Sequence, residues 1–355
     1  MQQKENLFAL EKFFQKIAAS DTEAFPGSND YWDHYHSMLG VLREQFYNNV
    51  NLGLAVHSGS IAGIYTDHSG NHFDEVVKYA GRLIGVDQDT TCTPLRSYEI
   101  FLLLMGIRLH DVGNLYGRDG HETRAIDVYK IATAPASRDR FETQIITGIA
   151  QVHGGRTPVG NKDTITQLKE IDHLGSSHPF RPRLIAAIVR FADEVCEHRG
   201  RVQQHMIDSH KIPEQNLLFH LYASAIKSSV IDRRDKAVKL NYILHKKYLL
   251  TPYMHLQGKK KYLLDETLDR LAKLNMERVY CNQFLVPELQ TDRVHAIITI
   301  VDGEDGETIL EEKEIDIRPR GYPTEDKSWR NQISDFSGKA IQKKLSQRGG
   351  KRNAG

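Results

Sequence analysis

The chain has 355 residues, 47 Lys and Arg against 46 Asp and Glu, a net charge of +1, and 40% hydrophobic residues. That length allows a sizeable core and predicts two domains, while the near-neutral balance excludes a chain drawn to nucleic acid or membranes by global charge alone. Its three cysteines, Cys92, Cys196 and Cys281, are far apart and form no CxxC; this excludes a zinc ribbon and a disulfide framework and fits a reducing cytoplasm.

The first segment, MQQKENLFALEKFF, is charged and amphipathic, without the apolar stretch or cleavage site of a signal peptide. No apolar run reaches membrane-spanning length. Aromatic and aliphatic residues at helical spacing predict a helix within 29–50. Phe73, Val76, Val77, Ala80, Leu83 and Ile84 mark another over 72–85. Residues 97–110 are almost wholly apolar, as a central buried helix would be. Two further helices, 121–133 and 138–152, are separated by Pro135. Residues 154–182, rich in Gly, Pro, Ser and charge, predict a long functional loop with one helical turn near Ile165–Ile171. Leu184, Ile185, Ile188, Val189, Ala192 and Val195 then define a helix over 182–200.

After residue 212 the texture changes. HLYASAIKSSVI and KAVKLNYIL, with DRRDK between them, predict a β-hairpin. A helix follows over 263–280. Two strands joined by the turn DGEDGE come next, then a polar helix over 328–346. The expected architecture is a mainly α domain over 1–211, a helical bundle, followed by a smaller α+β domain over 212–347 and a disordered tail over 348–355.

Seventeen histidines exceed what packing requires, and several fall at predicted helix ends. His72 opens a helix, His110 and Asp111 close the apolar one, His121 opens the next in GRDGHE, and His153 closes another before Gly154-Gly155. Asp193 lies in RLIAAIVRFADEV. A lone His at a helix C-terminus can simply favour the dipole, and an Asp can cap a helix. Six such groups on five helices instead point to a shared rim. Imidazole with carboxylate suits Mn, Fe, Ni, Co or Zn, and Mg less well. His57, His68, His173 and His178 lie in loops and read as surface residues.

The order His72, His110-Asp111, Asp193 resembles the H…HD…D signature of the HD-domain metal-dependent phosphohydrolases. NHFDEVVKYAGRL, LHDVGN and IVRFADEV are similar to that family's local contexts over roughly residues 60–200. HDVGNLYGRDGHE is similar in style, though not in spacing, to deoxynucleoside triphosphate triphosphohydrolases. The resemblance implies an HD-domain helical bundle with His72, His110, Asp111 and Asp193 as ligands of one divalent metal. It implies that His121 and His153 either hold a second ion or act on phosphate and leaving group, with Asp111 also in the catalytic set. One or two ions are therefore expected.

Phosphate needs cations, and Arg118, Arg156 and Arg190 stand near these motifs. Lys227, Arg233, Arg234, Lys236, Lys239, Lys246 and Lys247 make the first hairpin basic, as a solvated surface or a secondary nucleotide site. The expected activity is hydrolysis of a nucleotide, with a deoxynucleoside triphosphate preferred and nucleotide signalling or antiviral defence as the setting. The alternatives are a phosphodiesterase or nuclease on cyclic nucleotide, cyclic dinucleotide or single-stranded nucleic acid, and a regulatory nucleotide-binding module. The C-terminal domain is the expected surface for a protein partner or homo-oligomer.

Overall fold

A computed structural model of the chain describes residues 7–57, 69–87, 91–133, 139–174, 178–198, 200, 202, 204–255, 258–303, 308–318, 329–330 and 333–350. Pro135, His68, the side chain of His57, residues 304–307 of the DGEDGE turn and residues 351–355 of the tail lie outside them. The chain divides into two compact units. The first holds residues 1–62, 67–196 and 280–290; the second holds 63–66, 197–279 and 291–355. The division after 196 precedes the expected boundary at 211, and a segment from far downstream joins the first unit.

The first unit is helical. Its elements are α1 (Ala9–Ser20), α2 (Tyr31–Val41), α3 (Tyr47–His57), α4 (Gly70–Ile84), α5 (Ser97–Leu109), α6 (Ala125–Ala132), α7 (Arg140–Gln151) and α8 (Pro182–Val195). A π-helical turn, Leu42–Phe46, joins α2 to α3. The centre is α5, in which every residue from Tyr98 to Leu109 is buried. The backbone amide of Arg96 donates to Glu99 Oε2 at its start (2.9 Å), and Arg181 clamps the same carboxylate through Nε at 2.8 Å and Nη2 at 2.6 Å. Gly106 lets α7 approach: a Cβ there would stand 2.8 Å from Ile149 Cγ2. Around α5, α4 and α8 present apolar stripes whose residues Val76, Val77, Ala80, Ile185, Ile188 and Val189 are fully buried. At roughly 1.5–3 kcal/mol per large buried aliphatic side chain, these faces supply the drive that holds the helices together.

The loop expected over 154–182 carries more structure than its composition predicts. A 3-10 turn spans Ile165–Gln167, and β1 (Asp172–Leu174) pairs antiparallel with β2 (His178–Phe180). His178 Nε2 lies 3.0 Å from the Glu23 carbonyl at the surface.

The second unit contains α9 (Gln204–Asp208), α10 (Glu214–Ala225), the larger part of α11 (Leu263–Asn282) and α12 (Gly338–Gly350). Its sheet runs β3 (Ile226–Asp232), β4 (Ala237–His245), β7 (Arg293–Asp302), β8 (Thr308–Ile317) in spatial order; a small ribbon pairs β5 (Tyr253–Met254) with β6 (Lys260–Lys261). The two hairpins β3–β4 and β7–β8 are as expected. Their join is not legible beforehand: β4 and β7 pair in parallel from Ala237↔Arg293 to His245↔Val301. HLYASA is helical, contrary to the strand reading. Leu218, Leu221, Tyr222 and Ala225 are buried at i, i+3, i+4 and i+7, so a 3.6-residue stripe outweighs the short alternation. Of the helix expected over 328–346, Trp329 and Arg330 are helical and α12 covers the later part, taking in residues 348–350 of the anticipated tail. The basic hairpin is partly neutralised from within, because Lys239 bonds Asp232 (2.7 Å) and Asp235, and Lys246 bonds Asp302 (2.9 Å). No described helix is long and apolar enough to cross a membrane.

Candidate metal centre

All six His and Asp candidates meet in the first unit. His72 stands in the first turn of α4, its amide bonded to the Ser69 carbonyl. His110 follows the last residue of α5, and Asp111 turns the chain into a 3-10 segment, Val112–Tyr116. Gly120, at φ +69°, allows the reversal that starts the 3-10 turn His121–Arg124. His153 lies in the turn after α7, and Asp193 near the end of α8.

Asp111 joins two groups. Its Oδ2 lies 3.8 Å from Nε2 of both His72 and His110. Its Oδ1 lies 3.0 Å from His121 Nε2 and 3.4 Å from His153 Nε2. Asp193 Oδ1 faces the first pair, 3.1 Å from His72 Nε2 and 3.5 Å from His110 Nε2. Two triads with metal-compatible spacing result, His72–His110–Asp111 and Asp111–His121–His153.

Three of the histidines are oriented by one device. Nδ1 donates to the carbonyl three residues upstream: His110 to Ile107 (2.8 Å), His121 to Arg118 (2.8 Å) and His153 to Ala150 (2.7 Å). A carbonyl can only accept, so a proton sits on Nδ1 and Nε2 points into the cluster, where it offers a lone pair whenever the ring is neutral. Nε2 of His110 and His121 is buried and makes no hydrogen bond. Buried, inward-aimed imidazole nitrogens beside carboxylates, with no thiolate, fit a divalent transition-metal ion.

The electrostatics agree. Burial alone would depress the His110 pKa, but Asp193 and Asp111 outweigh it and push the value to about 8. Burial would raise Asp111 and Asp193, yet the facing histidines hold both well below the usual carboxylate range. Negative charge is thus retained where a cation would sit.

A second layer, invisible as a motif, supports these groups. Arg108, fully buried two residues before His110, donates to Asp74 Oδ1 (2.5 Å), Glu11 Oε1 (2.7 Å) and Tyr35 Oη (3.0 Å). Asp74 lies two residues after His72. Phe73 stacks on Tyr47 at 4.3 Å and meets the His110 ring edge-on at 5.3 Å. The one sequence signal was a lone Arg inside the apolar run IFLLLMGIRL. Tyr280 is likewise unheralded: its hydroxyl donates to Asp163 (2.9 Å) and accepts from the Ile165 amide (3.0 Å).

The three arginines have different surroundings. Arg190 is buried, donates to Thr164 Oγ1 (2.9 Å) and the Lys162 carbonyl (3.1 Å), and lies over the Tyr280 ring. Thr164 in turn donates to the Val152 carbonyl, the residue before His153. Arg190 therefore braces the loop beside the centre. Arg156 donates to the Gly160 carbonyl (2.7 Å) in an exposed turn. Arg118 is half exposed, with Nη1 3.9 Å from Asp111 Oδ1.

A helical unit with a buried His/Asp cluster on converging helix ends defines an HD-like domain capable of holding metal. A family model described as HD-CE matches residues 62–273, more than half of the chain, and the chain belongs to that family. No curated protein and no solved structure matches it.

Proposed function

We propose that the protein is a metal-dependent phosphohydrolase acting on a nucleotide, with a deoxynucleoside triphosphate as the preferred substrate. The observation that carries this reading is the Asp111 carboxylate, whose two oxygens face two separate histidine pairs. A divalent ion bound there would supply Lewis acidity to a phosphoryl oxygen and to the attacking water. His72, His110, Asp111 and Asp193 hold the first position. Arg118 orients a phosphate by its paired N–H donors. With a single ion bound, His121 or His153 would instead face the phosphate or the leaving oxygen through Nε2 while Nδ1 stays on its carbonyl.

A second reading is favoured by the second triad. Asp111, His121 and His153 have the spacing for their own ion, and a paired-ion site suits in-line attack on a phosphodiester. Cyclic nucleotides and cyclic dinucleotides then become the substrate class. Nucleotide signalling or antiviral defence is the setting we propose by family analogy, with the second unit as the surface for a partner or a second copy.

The test is a nucleotide screen on purified protein with Mn²⁺, alongside its metal content. Release of phosphate, pyrophosphate or triphosphate supports the first reading; ring-opened cyclic substrates with two bound ions support the second. No product from any nucleotide or cyclic nucleotide defeats both.

A further inference from the structure

The 3-10 segment Val112–Tyr116 begins directly after Asp111, and its first three residues are buried. Its last residue is not: Tyr116 is 45% exposed. The chain then reverses at Gly117, whose φ of +105° favours glycine, so the ring stands on a defined turn. The Arg124 guanidinium carbon lies 6.0 Å from the Tyr116 ring centroid. The Arg118 guanidinium reaches to 3.9 Å from Asp111 Oδ1. Both arginine side chains are about half open to solvent. Tyr116 and Arg124 thus meet, with Arg118 close in sequence, on the turn that leaves the metal centre; Arg118 also donates to Asn114 Oδ1 (3.3 Å) and Arg124 pairs with Asp127 (3.7 Å).

We propose that Tyr116, with Arg124 beside it, is the platform on which the base of a nucleotide stacks while Arg118 guides its phosphates to the His110–Asp111 centre; the inference rests on the phosphohydrolase reading above. Every base offers a π-face, so stacking supplies affinity without strict sequence reading. Arg124 adds a cation over the same ring. The arrangement predicts a substrate with a planar base, not an inorganic polyphosphate or a simple sugar phosphate.

Tyr116→Trp places a fluorescent reporter at this position, read against the unchanged background of Trp32 and Trp329. With Mn²⁺ present, dATP should quench the added emission saturably, and inorganic tripolyphosphate should not. Quenching absent with dATP, or equal with both compounds, overturns the platform. In Tyr116→Ala the KM for dATP should rise about tenfold relative to that for tripolyphosphate; an unchanged ratio also overturns it. Absence of phosphate release from either compound in the same mixtures would instead count against the hydrolase reading, while quenching still decides the stacking.

Discussion

Arg108 Nη1 donates to Asp74 Oδ1 at 2.5 Å across the contact between α4 and α5. Asp74 is two residues from His72, and Arg108 two from His110. The ion pair therefore sets the axial register of the helices that bring these histidines together. Glu11 and Tyr35, bonded to the same guanidinium, tie α1 and α2 to that register. A fully buried Arg is stable only while its partners remain, because an unpaired buried charge costs far more than the pair contributes.

Glu11→Gln should accordingly destabilise the protein by about 3–5 kcal/mol, as breaking a buried pair does. Arg108→Met should cost at least as much, because it leaves the buried Glu11 carboxylate without its cation, and it should loosen the register and weaken metal binding by about 10–100-fold. Urea unfolding and metal titration check these separately. Wild-type stability in Glu11→Gln would show that the network carries little.

The same network sets an acid limit. Burial would raise the Glu11 pKa, but the Arg108 charge and the Tyr35 hydrogen bond lower it below 4.5. A depressed folded-state pKa contributes stability that is fully present above the unfolded value and lost as pH falls through the folded one. Wild type should therefore lose its advantage over Glu11→Gln below about pH 4.5. Taking the difference between the two proteins removes the opposing contribution of Glu142, whose pKa burial raises. A difference constant from pH 7 to 3 would refute the linkage.

Asp111→Asn should deprive both triads of their shared charge. Elemental analysis is expected to find the purified variant nearly metal-free. His121→Ala should lose metal only from the second triad. If wild type carries one equivalent and His121→Ala carries the same, the second triad is not a metal position.

Gly113 marks the closest approach between the two turns that carry Asp111 and His121. A Cβ at 113 would stand 2.0 Å from the His121 carbonyl oxygen. Gly113→Ala must push the His121 turn away, at about 1–3 kcal/mol for such overpacking. The expected outcome is selective loss from the second triad, read by metal stoichiometry. An unaltered stoichiometry would show that the turn yields without moving His121.

Tyr280→Phe removes the acceptor of the Ile165 amide and the donor to Asp163. Leaving that amide unsatisfied costs about 1–3 kcal/mol. Hydrogen exchange at Ile165 should accelerate, and the Arg190–Thr164 brace next to His153 should loosen. Exchange at the wild-type rate would assign the Ile165 amide another partner.

Much of the helical unit was legible because its elements are long and amphipathic. The stripe Phe73–Ile84 has a period that only a helix satisfies, and the apolar run before His110 is too long for a typical strand. HLYASA was misread because a short apolar stretch fits both periods until its neighbours are known. The parallel pairing of β4 and β7 was unreadable for a related reason: both strands are half-buried runs, and nothing local states which edge each will meet.

The primary structure by itself determined the chemistry of the centre. It places His72, His110, Asp111, His121, His153 and Asp193 at the ends or last turns of helices, with imidazole and carboxylate donors and no thiolate. Tertiary packing alone decided how those donors are shared: Asp111 turns one oxygen to each histidine pair. It also decided that Arg190 braces a loop, and that Arg108 and Tyr280 support the centre. Periodicity is a local property of backbone geometry, whereas the direction of a carboxylate and the partner of a buried guanidinium depend on segments far apart in the chain.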